Sequence, residues 1–286
     1  MRTRRATGAG TAAALALLVA GCAPDPQGFH DRLLAGYLAD GRLRTEPAPP
    51  DAPFGNEDLV RNFERVAFHT EFAPGAVAGG ALVEAPTEAP LFRWAGPVRW
   101  RIEGDGATEA DREAMLRLAA RLSELTGLIF EEAEDEPNMA ILIASAPLRE
   151  SFAHMLEASG AAPRMRIAGA WARENRFPCV GQIGVAGAGA DRSTRSIVLI
   201  KAETRGLLRE SCLHEEVTQS LGLLNDDPRA RPSIFNDDQE FALLTEHDAY
   251  LLRILYDPRL SHGMTAAEGM PIVRRIVDEI GPGPRP

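Results

Sequence analysis

Apolar positions recur at two different periods along the chain, and the switches between them mark out its elements. Val98, Trp100 and Ile102 alternate with polar residues over 97–102, the pattern of a half-buried strand. Met115, Leu118, Ala119, Leu122 and Leu125 then recur at three and four. They predict a helix opened by Thr108, with Asp111 three residues on, and stopped at Gly127. Residues 128–130, 139–144, 165–171, 182–185 and 196–200 read as further strands, and 147–158 as a helix. A long helix is expected over 204–224, followed by a helical pair over 245–256 and 266–280. The last of these lines up Met270, Val273, Ile276, Val277 and Ile280 on a face suited to docking on the domain. Upstream the pattern is weaker. Residues 29–38 and 58–68 have helical spacing, and the Pro-rich stretch 46–53 between them reads as a spacer.

The N-terminus has a different character. Arg2, Arg4 and Arg5 precede a short apolar run over 11–20, and Val19, Ala20 and Gly21 lead into Cys22. The run is shorter than the ~20 residues a spanning helix needs, and its basic flank suits a cleaved secretory signal. Val19-Ala20-Gly21-Cys22 resembles the lipobox of bacterial lipoproteins. That resemblance implies cleavage after residue 21, acylation of Cys22 (palmitate among the chains), and a membrane anchor in the cell envelope. Ala23 in place of an aspartate implies the periplasmic face of the outer membrane. An ordinary signal peptide with a coincidental cysteine is the alternative.

Composition narrows the function classes. Loss of Arg2, Arg4 and Arg5 with the signal would take the net charge from −10 to −13. Nucleic-acid binding needs basic patches to neutralise phosphates, so DNA and RNA drop out as partners. The membrane, through the lipid, and an envelope protein or peptide remain. With 45% apolar residues the chain can bury one good core. Of the three cysteines, Cys179 and Cys212 are left once Cys22 carries lipid. In an oxidising compartment such a pair reads as a disulfide, two separate buried thiols being the alternative. The tryptophans Trp94, Trp100 and Trp171 read as core or rim, a ligand platform being the alternative.

The chemistry gathers on the long helix, where Ser211 to Asp227 run SCLHEEVTQSLGLLNDD. Leu213, Val217, Leu221 and Leu224 make an apolar stripe, and Glu215 and Gln219 lie four apart on another face. Two groups at that spacing can reach one metal ion. The stretch from Glu215 resembles the extended metzincin pattern H-E-x-x-H-x-x-G-x-x-H, matching at the general-base glutamate (Glu216) and at the glycine (Gly222). Glu215, Gln219 and Asn225 stand at the three histidine positions. Ser233-Ile234-Phe235 falls where such domains place a Met-turn, and Leu255-Tyr256 resembles the end of their closing helix. Residues 91–264 are also similar to a family of bacterial lipoproteins, domain-of-unknown-function family 2927. The similarity rests on Glu215-Glu216, Leu221-Gly222-Leu223, Asn225-Asp226-Asp227 and Ile234-Phe235-Asn236-Asp237.

These resemblances imply an α+β, zincin-like domain with a small mixed sheet and a long helix after an edge strand. The implied divisions are a signal at 1–21, a lipidated tether at 22–90, the domain at 91–264 and an amphipathic helix and tail at 265–286. Glu216 is then the candidate catalytic residue, and Glu215, Gln219, Asn225 and Asp226 are candidate ligands for a divalent cation, zinc or calcium. Zinc favours nitrogen and sulfur donors, whereas this set offers oxygen, which suits harder ions. A structural or binding role is therefore expected ahead of a metal-dependent hydrolase. His214 reads as a helix-surface or outer residue. The triplets 225–227 and 236–238 read as turn and cap residues, with convergence on calcium as the alternative.

Overall fold

A computed structural model of the chain describes residues 25–72, 77–78, 81–158, 163–186 and 193–284. The signal-like segment and Cys22 lie outside them. Helices α1 (Pro26–Ala39) and α2 (Asn56–Ala67) come first. Two short antiparallel pairs follow, β1 (His69–Thr70) with β4 (Thr87–Glu88), and β2 (Val77–Ala78) with β3 (Ala81–Leu82). The main sheet has five strands: β5 (Val98–Glu103), β6 (Phe130–Glu132), β7 (Met139–Ala144), β8 (Cys179–Ala186) and β9 (Ser193–Lys201), in the order β6-β5-β7-β9-β8. The first four in that order run parallel, and β8 closes one edge antiparallel to β9, from Cys179 opposite Ile200 to Ala186 opposite Ser193.

The alternation along the central strands explains the layers, because successive side chains must leave opposite faces. Ile141, Ile143, Val198 and Ile200 enter the larger core with α3 (Glu109–Thr126), α6 (Gly206–Gln219), α7 (Glu246–Leu255) and α8 (Ala266–Ile280). Leu142 and Leu199 point the other way, onto a smaller core beneath α4 (Ala146–Ala158) and α5 (Pro163–Arg173). The α3 start is as the sequence implies: Thr108 and Asp111 form a reciprocal capping box, and Gly127 caps the far end. Trp94, Trp100 and Trp171 are all buried.

Three expectations need correction. Residues 165–171 are not a strand but lie inside α5. Ile167, Ala168 and Trp171 fall at helical spacing against Ala153 and Leu156 of α4, and an alanine-rich segment favours a helix. The long helix ends at Gln219 rather than 224, because Gly222 takes a backbone conformation no helix contains. It also follows the inner strand β9, with the edge strand β8 one step earlier. One buried cluster takes in residues on both sides of positions 90 and 264. Leu59, Phe63 and Val66 of α2 and Val273, Ile276 and Val277 of α8 belong to the same buried cluster as the sheet. Even α1 is docked, with Leu33, Leu34 and Tyr37 packed on Leu43, Leu208 and Ala242. Arg44 then fastens the following loop by pairing with Asp51 and Glu240.

Cys179 and Cys212 are bonded, with Cα atoms 5.8 Å apart. The bridge joins the start of the edge strand to the middle of α6. Closing 33 residues of chain contributes about 3–4 kcal/mol through the entropy of the unfolded state.

Candidate functional site

One face of α6 is apolar and buried, with Leu213 and Val217 in the core. Glu216 and Gln219 lie instead against the edge strand β8. Gly181 makes that closeness possible: a Cβ there would stand 2.9 Å from Glu216 Oε2 and 3.7 Å from Gln219 Oε1. The disulfide one turn earlier fixes the same strand to the same helix.

Beyond Gln219 the chain reverses. Gly222 has φ +129°, and a Cβ on it would fall 2.1 Å from the Phe92 carbonyl oxygen. The turn is held from outside as well. The Tyr256 hydroxyl donates to Leu221 O (2.9 Å) and accepts the Trp94 N–H (3.2 Å), while the Trp94 indole donates to Ser220 O (2.8 Å). The reversal brings Asp226 back to the helix, where Gln219 Nε2 donates to its Oδ1 at 3.4 Å. Glu71 arrives from a distant part of the chain, its N–H donating to Leu224 O at 3.0 Å. From the other side Gln239 donates to Glu215 Oε2 (3.1 Å) and accepts from Ser211 Oγ (3.2 Å).

The result is a group of carboxylates within electrostatic reach of one another: Glu71, Glu215, Glu216, Asp226 and the exposed Asp237. Burial is the first cause raising each of their pKa values, and repulsion from neighbouring carboxylates adds to it, for Asp237 from Glu84 and Asp238. Glu215 is pushed up to about 7. Glu216 goes well above the ordinary glutamate range through burial, then Glu215 and Asp226, against a lowering from the Gly181 N–H. Among the strongest influences on these five groups a basic side chain enters once, Arg176 on Asp237. Glu216 is only 6% exposed, and its Oε2 has no hydrogen-bond partner.

The floor of the site is a buried network. Asp248, wholly buried, accepts from Ser233 Oγ and from the N–H groups of Ile234 and Thr245. It thereby ties the 233–235 turn to the start of α7, and Phe235 is fully buried there.

The structure therefore brings Glu215, Glu216, Gln219 and Asp226 together, but turns Asn225 aside. Its Nδ2 donates to the carbonyls of Arg65 and Asp226, and its N–H to Val66 O, so its side chain anchors the turn to α2. His214 faces away too, Nδ1 accepting the Leu244 N–H at 3.1 Å, and burial lowers its pKa to about 4. Each Asn-Asp-Asp triplet sends its middle aspartate to this group of carboxylates. The outer members make turns, as in the bonds from Asp238 N–H to Asn236 and from Glu240 N–H to Asp238. Glu71 and Gln239 escaped the sequence reading, in which Asp237 figured only within the 236–238 triplet. The second triplet was a signal for Asp237, whereas nothing local marks Glu71.

Chemically this is an all-oxygen, acidic site. Among the described residues no three His, Cys, Asp or Glu side chains stand close enough together to chelate one metal ion. A model of the family described as "Protein of unknown function (DUF2927)" matches residues 56–275. No curated protein and no solved structure matches the chain.

Proposed function

We propose, for a chain that belongs to the DUF2927 family, that the domain is a zincin-like scaffold whose metallopeptidase-type site has become a non-hydrolytic binding cleft. Several features support the ancestry. An antiparallel edge strand flanks the helix that carries Glu216, a glycine turn returns the chain beneath it, and a buried turn at 233–235 underlies the site. The observation that carries the loss of hydrolysis is where the nitrogen and sulfur donors are. His30, His69, His154, His214, His247 and His262 have their partners in other parts of the fold, and Cys179 and Cys212 are bonded to each other. Zinc catalysis rests on such donors to hold the ion and acidify its water. Glu216 at the general-base position then has no activated water to deprotonate. Peptide cleavage, with Glu216→Gln as the control, separates the two classes.

The protein is further proposed to be lipid-anchored through Cys22 and to face the periplasm. Among the described residues no helix is long and apolar enough to cross a membrane, so attachment would rest on the lipid. Because α1 starts at Pro26 and packs on the domain, an acylated Cys22 would hold the domain close to the bilayer. Cys22→Ser is expected to move the protein from the membrane to the soluble fraction of lysed cells. Undiminished, detergent-requiring membrane association of the variant rules out the anchor.

A further inference from the structure

The acidic cleft has more acceptors than the described chain supplies donors for. We infer that it binds a guanidinium group, the arginine side chain of an extended peptide. This rests on the reading that the cleft does not hydrolyse peptides.

Three features point to that ligand. First, Glu216 Oε2 is buried without a partner against Gly181 of the edge strand, within electrostatic reach of Glu215 and Asp226. A buried acceptor left unmade costs about 1–3 kcal/mol, more when charged, so a donor supplied there is strongly favoured. Second, Glu215 and Asp226 are each held by one amide, from Gln239 and Gln219, which fixes their positions and leaves carboxylate lone pairs over. Glu71 adds a further carboxylate, within electrostatic reach of Glu216 and Glu215. Third, the acceptors are spread. No three of the carboxylates converge as a point ion requires. A guanidinium differs from a metal ion in just this respect, for it offers five N–H donors across a plane and stays charged at any physiological pH. Its charge also removes the repulsion among the four inner carboxylates. A lysine ammonium, with three donors at one nitrogen, reaches fewer of them.

The test is isothermal titration of the purified protein at neutral pH and low salt. The probes are acetyl-Ala-Ala-Arg-Ala-Ala-amide, its lysine counterpart, acetyl-arginine amide and calcium chloride. The arginine peptide is expected to bind one to one, at least tenfold tighter than the lysine peptide. Glu216→Gln and Glu71→Gln should each weaken it tenfold or more, and the surface variant Asp278→Asn should not. Both test variants relieve repulsion, so they retain the fold. Comparable affinity for acetyl-arginine amide would assign the site to a free guanidinium compound, and weaker affinity to an arginine within a polypeptide. Either result supports the guanidinium. No saturable binding of either arginine probe, binding indifferent to both variants, or stoichiometric calcium that displaces the peptide would overturn it. Mass spectrometry of the titrated peptide reports separately on cleavage, which bears on the non-hydrolytic reading alone.

Discussion

Gly222→Ala is expected to destabilise the protein by about 4 kcal/mol or more, enough to abolish its accumulation in cells. Two costs combine at this position. A φ of +129° is strained for any residue with a side chain, at roughly 1–3 kcal/mol. The added methyl group would also stand 2.1 Å from the Phe92 carbonyl oxygen, so the segment around Phe92 or the turn must shift, at a further ~1–3 kcal/mol. Neither side yields easily, since Trp94 and Tyr256 hold the turn from both directions. Gly263 serves as the internal control. It too has positive φ (+89°), but nothing lies within 4 Å of where its Cβ would be. Gly263→Ala should therefore cost about 1 kcal/mol, the conformational part alone. Urea unfolding of both variants measures the gap between them. Equal midpoints would show that the turn is not packed as described.

Glu216→Gln is expected to stabilise the protein, and increasingly so as pH rises. The folded-state pKa of Glu216 is raised, so the native state holds its proton through a range where the unfolded chain has lost it. Such a group contributes stability that is present at low pH and is lost as pH climbs from the ordinary glutamate range through the raised value. Glutamine imitates the protonated form at every pH, and so retains what the wild type loses. Other groups act on the absolute curve. His30 and His214, held neutral by burial, favour folding as pH rises towards 6.5, and Lys201, lowered to about 7, does so above neutrality. These are common to both proteins and cancel in the difference. In chelator-containing buffer the variant should be near parity with wild type at the acid end. At pH 8 it should lead by on the order of 1–3 kcal/mol, the cost of a buried unpartnered acceptor. A variant less stable than wild type at pH 8 would mean that the carboxylate has a partner that glutamine cannot replace.

Where local chemistry decides structure, the sequence was a sufficient guide. Thr108 with Asp111 and then Gly127 bound α3, and residues 139–144 and 266–280 form the expected strand and helix to the residue. The pairing of Cys179 with Cys212 followed from counting the cysteines left over once Cys22 is assigned to lipid. Half of the site was equally local, since Glu215, Glu216 and Gln219 share one helix. What escaped is set by tertiary contact. Glu71 reaches the cleft by one backbone hydrogen bond to Leu224, which no periodicity announces. Asn225, the residue after Glu71's anchor at Leu224, stood at a ligand position of the metzincin pattern but is drawn onto α2 by the same turn that delivers Asp226. The strand reading of 165–171 misled because Ile167, Ala168 and Trp171 pack at helical spacing on α4. The Pro-rich stretch at 46–53 suggested a free tether, whereas Arg44 and its carboxylate partners hold that region to the domain.

The central claim is that Glu216 sits in a site that binds without hydrolysing. Its direct test is cleavage of a broad peptide library by the purified protein, alone and with added zinc, calcium or manganese, beside Glu216→Gln. The expected result is the same uncleaved library in every condition and no difference between the two proteins. Cleavage by the wild type that a chelator and Glu216→Gln both abolish would contradict it, and would make the site a working metallohydrolase.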